Sequence, residues 1–286
     1  MATDGTKHGA GKWLAVGVVL LGGALAWMLI GPMPPQTEPG LAPAPPMPAV
    51  PAAEAPGAGG NAVEGRIEPA IRFPLPDAAP LQNASPAVPL PGLDDSDAAF
   101  GEGLAGVLGG SLSELVVGDR LVRRIVVTVD NLPGERLPWS WAPLRPVGGA
   151  FLVEEVDGGF EVAAANAARY QAYVRLAEAV PAQALVALYS RFYPLFQRAY
   201  EELGYPTAYF NDRLVAVIDH LIAAPELSGP VRLVQPKVRY LFADERLEAL
   251  SAGQKAMLRM GADNAERVKA KLREIRALLV AGAQRR

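Results

Sequence analysis

LYSRFYPLFQRAYEELGYPTAYFNDRLVAVIDHLIAAPE, residues 188–226, holds eight of the chain's 20 aromatic side chains within 22 positions. Tyr189, Phe192, Tyr193, Phe196 and Tyr200 recur at i, i+3, i+4, i+7 and i+11, which lines them along one face of an α-helix. Tyr205, Tyr209 and Phe210 follow in a turn and at the start of a second helix, whose buried face is marked by Leu214, Ile218, Leu221 and Ile222. Large rings dominate core burial, so one reading is the core of a helical hairpin. The other is a groove for a glycan or a peptide, because a tyrosine keeps a polar end available.

On either side of this pair, helices are expected near 97–108, 119–130, 164–179, 182–203, 210–223, 244–250, 252–260 and 263–281. Ser111-Leu112-Ser113-Glu114 has the capping-box spacing and predicts a short helix to about Val117. Pro133, Pro138, Pro143 and Pro146, with Trp139 and Trp141 among them, read as a structured loop. In AFLVEEVDGGFEVA (150–163), Asp157-Gly158 between alternating apolar residues signals a β-hairpin. PVRLVQPKVRYLF (230–242) is extended, and Pro236 argues that any strand there is an edge. The expected fold is mainly α: a multi-helical globular domain with a small β-hairpin, over residues 93–286, behind one N-terminal transmembrane helix.

That helix is WLAVGVVLLGGALAWMLIG, residues 13–31, 19 residues without a charge. The length matches a hydrocarbon core ~30 Å thick. Trp13 and Trp27 sit toward its ends, Lys7 and Lys12 precede it, and no basic residue follows until Arg66. The positive-inside rule then keeps residues 1–12 cytoplasmic and exports the rest. Ala24-Leu25-Ala26 has the small-x-small pattern of a cleavage site, but Trp27-Met28-Leu29-Ile30 continues the apolar run beyond it, which favours an uncleaved anchor. Residues 32–92 form a Pro/Ala-rich segment holding seventeen of the 27 prolines, expected to be a disordered linker. Fully extended, its 61 residues reach at most ~190 Å. The address implied is the inner membrane, with the 93–286 domain in the periplasm if the cell is Gram-negative.

The chain has no cysteine and two histidines, His8 and His220. Disulfides, thiolate catalysis, cysteine-ligated zinc and a lipoprotein anchor are excluded, and no metal or cofactor is expected. G-x-S-x-G, H-E-x-x-H and P-loop patterns are absent, and no catalytic residue is assigned. Asp219-His220 is no dyad, since adjacent helix residues point about 100° apart; a structural or capping role suits His220 better.

The net charge of −3 conceals a division. Residues 93–250 carry 14 basic and 21 acidic side chains, while 251–286 carry nine and three. The basic end could dock on the acidic body or on an anionic partner. LSAGQKAMLRMGADNAERVKAKLREIRALL (250–279) has the outline of a helix-turn-helix, with Ser251 as N-cap, Gly261 as the C-terminal turn, Asp263 or Asn264 as the next cap, and Val268, Leu272, Ile275 and Leu279 as an apolar seam. Export across the membrane argues against nucleic acid as its partner. Arg267 and Lys271, together with Tyr189, Phe192, Tyr193, Phe196 and Tyr200, are the candidate binding surface.

VVTVDNLPGERLP (126–138), ANAARYQAYV (165–174), residues 188–226 and PVRLVQPKVRYLFADERLEALSAGQKAMLRMGADNAERVKAKLREIR (230–276) resemble the proteobacterial domain-of-unknown-function family numbered 3014. The resemblance spans about 93–279, with Glu245 standing where the family pattern has proline. It implies a short N-terminus, a single span and a proline-rich spacer, and it implies no activity, ligand or catalytic residue.

The function these features point to is a single-pass inner-membrane protein presenting a helical periplasmic domain for protein interaction or envelope assembly, its envelope partner unknown. The alternative is a periplasmic binding module for cell-wall polymer or anionic lipid. An unrecognised envelope enzyme is third, and it would need polar groups such as Asp212, Asp219 and Tyr193 to converge in a pocket.

Overall fold

The computed structural model describes residues 70–75, 89–108 and 115–281. The anchor expected at 13–31, most of the 32–92 segment and the 111–114 capping box lie outside the described residues. Among the described residues no helix is long and apolar enough to cross a membrane.

The helices are α1 Ser96–Leu108, α2 Leu121–Asn131, α3 Gln171–Ala179, α4 Ala182–Glu202, α5 Phe210–Ile222, α6 Glu245–Glu248, α7 Ala252–Arg259 and α8 Ala262–Ala281. Short 3-10 turns cover Trp139–Trp141 and Ala164–Tyr170. The strands are β1 Val153–Val156, β2 Gly159–Val162, β3 Arg232–Val234 and β4 Leu241–Phe242, antiparallel in the order β1-β2-β3-β4. The domain is mainly helical with a small antiparallel sheet.

α4 runs through the centre, in contact with α1, α2, α5 and α8. Its aromatic face is core: Tyr189, Phe192, Phe196 and Tyr200 are all buried. Phe100 of α1 meets Phe192 edge-on at 5.1 Å and Phe196 at 5.5 Å, and Phe196 stacks on Phe210 of α5 at 6.0 Å. Such pairs add ~0.5–1.5 kcal/mol beyond the area they bury. Pro194 lies inside α4 but on its exposed side. It has no N–H to give the Ser190 carbonyl, and the helix runs on.

α8 is the second strut, packed on α3, α4, α5 and α7, with Val268, Leu272, Ile275 and Leu279 buried as its seam. Gly261 ends α7 at φ +87°, the left-handed conformation that a glycine adopts without a Cβ clash. Ser251 caps α7 as expected, its hydroxyl accepting the Gln254 N–H at 3.1 Å. Asn264 does otherwise: it is buried and donates to the carbonyls of Ala167 and Met260, tying the turn to the neighbouring 3-10 segment.

Two other expectations are corrected, and one cap that no reading foresaw is found. The helix predicted to run to Val117 is absent at its described end. Val116 bridges Leu144, and backbone bonds join Val117 to Pro143 and Arg145 to Leu115, so the proline-rich loop takes over the pairing. α2 begins at Arg120 in a left-handed conformation, φ +49°, without a side-chain cap of its own. Asp97 of α1 supplies one, accepting the N–H groups of Arg120 at 2.5 Å and Leu121 at 2.8 Å. Finally, β3 is internal, not an edge. It stops at Val234, Pro236 falls in the turn beyond, and β4 forms the margin.

Candidate functional site

The first turn of α5 carries the feature that the sequence concealed. Ala70–Leu75, inside the segment expected to be linker, lies along it as a strap. The Asp212 carboxylate accepts the backbone N–H groups of Arg72 at 2.9 Å and Phe73 at 2.8 Å. Asn211 donates its amide to the Phe73 carbonyl at 2.8 Å, and the Tyr209 hydroxyl accepts the Leu75 N–H at 3.2 Å. Phe73 and Leu75 pack half-buried on the main core, while Ile71 is 53% exposed.

Beneath the strap, Gln197 of α4 sets the shape of the groove. Its Oε1 accepts the Tyr193 hydroxyl and the Phe210 N–H, both at 2.8 Å, and its amide donates to the Ala208 carbonyl at 2.8 Å. The α4–α5 turn is thereby closed around one side chain. Tyr193 and Tyr209 rings lie 5.2 Å apart along the groove. Burial, then Tyr209 beside it, pushes the Tyr193 phenol far above its ordinary range, so it stays a neutral donor and is no base. Tyr189, fully buried below, is pushed up by burial as well. Two buried polar atoms here, Tyr189 Oη and Asn211 Oδ1, have no hydrogen-bond partner among the described residues.

The strap is held lightly. Its bonds to Asn211 and Tyr209 contribute ~0.5–1.5 kcal/mol net each, and its two to the Asp212 carboxylate ~1.5–3 kcal/mol each. Ordering the backbone costs ~1–2 kcal/mol per residue. Over Arg72–Leu75 the two nearly offset, and half-burial of Phe73 and Leu75 decides a small balance.

The residues expected to form a binding surface do not assemble into one. Tyr189, Phe192, Phe196 and Tyr200 face inward, because neighbouring helices cover both flanks of that face; only Tyr193 remains partly accessible, at the strap groove. Arg267 forms a two-pronged pair with Glu178 of α3, which holds that carboxyl below its ordinary range. Lys271 is 8% exposed and reaches the Val180 carbonyl at 3.3 Å and Glu274 at 2.7 Å. Lys269, 2% exposed, reaches the Ala224 carbonyl at 2.8 Å. Val180 is the C-cap of α3 and Ala224 follows Ala223, the C-cap of α5, so these two lysines satisfy carbonyls at or just beyond helix C-termini, where a cation is favoured. Arg276 pairs with Asp219. The basic end thus docks on the acidic body of the same chain.

Asp212 and Asp219 therefore serve different partners, a strap and an arginine. His220 Nε2 lies 2.7 Å from Ser251 Oγ at the α7 cap, and burial holds the imidazole below its ordinary value. A second concavity, of about 310 Å3, opens between β2, the loop 225–231 and the start of α8. Glu154, Glu161, Glu226 and Glu266 line it together with Arg259 and Lys269. Arg259 links the sheet to α7 through the rings of Phe151 at 5.9 Å and Phe242 at 5.3 Å. Among the described residues no group of His, Cys, Asp and Glu is placed to hold a metal ion.

Asn211 and Gln197 were not singled out in the sequence, and Tyr209 only as one of the aromatic run. A signal for the strap did exist: Phe73 is the one aromatic residue between Trp27 and Phe100, set between Ile71 and Leu75 in an otherwise small-residue stretch. Residues 121–276 match the family model described as "Protein of unknown function (DUF3014)". No curated protein and no solved structure matches the chain.

Proposed function

The chain belongs to the DUF3014 family, and from that premise we propose that it is a membrane-tethered interaction protein of the cell envelope. In this reading residues 13–31 anchor it in the inner membrane with the N-terminus cytoplasmic, and the helical domain meets a protein partner in the periplasm. The observation that carries the interaction role is the groove over α5, which already holds a short segment by its backbone. Peptide capture through the main chain draws affinity from main-chain bonds and specificity from side-chain seats.

Polymer or anionic-lipid binding rested on the aromatic face and the basic helix. With those rings in the core and Arg267, Lys269, Lys271 and Arg276 paired within the chain, it is the weaker reading. An enzyme is weaker still, since Asp212 and Asp219 do not converge.

Two experiments test the proposal. The chain has no cysteine, so single cysteines map its topology without background. A cysteine at Val238, which is 77% exposed, should react with an impermeant maleimide once the outer membrane is opened. Labelling only after the inner membrane is breached would overturn the topology. A photo-crosslinking residue at Tyr193 should capture one envelope protein reproducibly in living cells. Adducts only to lipid or to peptidoglycan would transfer the case to the alternative.

A further inference from the structure

Within Arg72–Leu75 three residues have an N–H group, since Pro74 has none, and the groove accepts all three. No bond in that set depends on a strap side chain. The side chains that count are Phe73 and Leu75, half-buried on either side of the proline; Arg72 and Ile71 point to solvent. What the groove reads is a backbone bent at Arg72 and Phe73, so that successive N–H groups meet one carboxylate, with an apolar–Pro–apolar pattern. Asn211, 0% exposed, holds the Phe73 carbonyl by its amide, and its Oδ1 has no donor among the described residues.

We propose that this groove is a peptide-binding site for a partner protein's apolar–Pro–apolar segment that enters it with the same bend, one that also offers a donor to Asn211 Oδ1. The chain's own Phe73-Pro74-Leu75 is the internal competitor for that site. The proposal rests on the interaction reading above and is independent of where the chain is anchored. A ligand carried on the same chain has an effective concentration set by its connection, in the millimolar range for short flexible ones. The internal strap therefore masks the site from weak ligands and yields to a better one.

The test uses the full-length chain in detergent and a fluorescent peptide of residues 68–77 as the probe. A variant with Phe73→Asp and Leu75→Asp, its groove intact, should bind the peptide up to about fivefold more tightly than the natural chain. Adding Asp212→Asn to that variant should abolish the gain, and a scrambled peptide should not bind. Equal binding by the strap variant and the natural chain, with unchanged circular dichroism and melting, would overturn the proposal. Should the strap variant fail to fold, hydrogen exchange on the natural chain decides. Excess peptide should speed exchange at the Phe73 amide and leave α4 and α8 untouched; exchange of Phe73 only with global unfolding would overturn it. Dimerisation that rises with concentration and is lost in the strap variant would reassign the groove to a second copy, against a partner protein. None of these outcomes depends on the topology map, so failure of the groove and failure of the anchor remain distinguishable.

Discussion

At its C-terminal end α5 is gripped by side chains from other helices. Lys269 of α8 takes the Ala224 carbonyl, Arg276 takes Asp219, Gln254 of α7 donates to the His220 carbonyl, and Ser251 meets the His220 ring. At its N-terminal end the same helix holds a strap by that strap's backbone, with half-buried side chains on either side of a proline. One end is embedded in the fold and the other is a seat. The difference teaches that stability and recognition are divided along a single helix: buried, many-sided contacts fix α5, and shallow, main-chain contacts leave its first turn exchangeable.

The sharpest way to break the comparison is Gly253→Ala in α7. Gly253 donates to the Leu132 carbonyl at 2.9 Å, and a Cβ there would lie 2.6 Å from Leu221 Cδ2 and 3.0 Å from the Leu132 oxygen. We expect a loss of about 3 kcal/mol in denaturant unfolding, since backbone cannot yield as a flexible side chain would. A loss under ~1 kcal/mol would mean that the C-terminal end is softer than its contacts indicate.

Lys269→Met comes next. It keeps the apolar stem and leaves the Ala224 carbonyl without its donor, a loss of about 2 kcal/mol by thermal or chemical unfolding. At the opposite end, Asp212→Ala should lower global stability by less than ~1 kcal/mol, because the strap's contacts nearly offset its ordering. Amide exchange should nevertheless accelerate at Arg72 and Phe73 while α8 stays protected. Equal global effects of Lys269→Met and Asp212→Ala would erase the distinction between the two ends.

The smallest effect is a slope. The folded His220 value lies below its unfolded value because burial disfavours the charged ring. As pH falls below the unfolded value of ~6.5, the unfolded chain takes up the proton first. The contribution from this site is thus fully present above pH 6.5 and is lost on acidification. The melting temperature should fall between pH 7 and pH 5 less steeply in His220→Gln than in the natural chain. Parallel slopes would remove His220 from the lock.

Helices with strong periodicity were legible. The spans 182–203, 210–223 and 263–281 differ by a residue or so from α4, α5 and α8, because each presents an apolar face that neighbours must cover. The Asp157-Gly158 hairpin was legible for the same local reason. What could not be read was whatever depended on two distant segments meeting. Asp97 capping α2, β3 entering the interior of the sheet and the lysines closing α3 and α5 are contacts across 24 to 91 positions. The aromatic face was legible as a face, but its resolution into core required knowing that α1 lies over it. The strap was the least visible, since low hydrophobicity in the surrounding residues hid two apolar side chains, Phe73 and Leu75, that had a place to go.

Docking of that strap also sets a length. Residues 32–92 number 61, but only 38 of them, 32–69, precede the point where the chain touches the domain. With residues 13–31 held in a bilayer as proposed, the domain's radius of travel while the strap is seated is at most ~120 Å instead of ~190 Å. A ligand that evicts Phe73 would therefore pay out cable, letting the domain move farther from the membrane at the moment it engages a partner. Under that anchoring, whatever occupies the three N–H acceptors of one helical turn would determine how far the domain can travel.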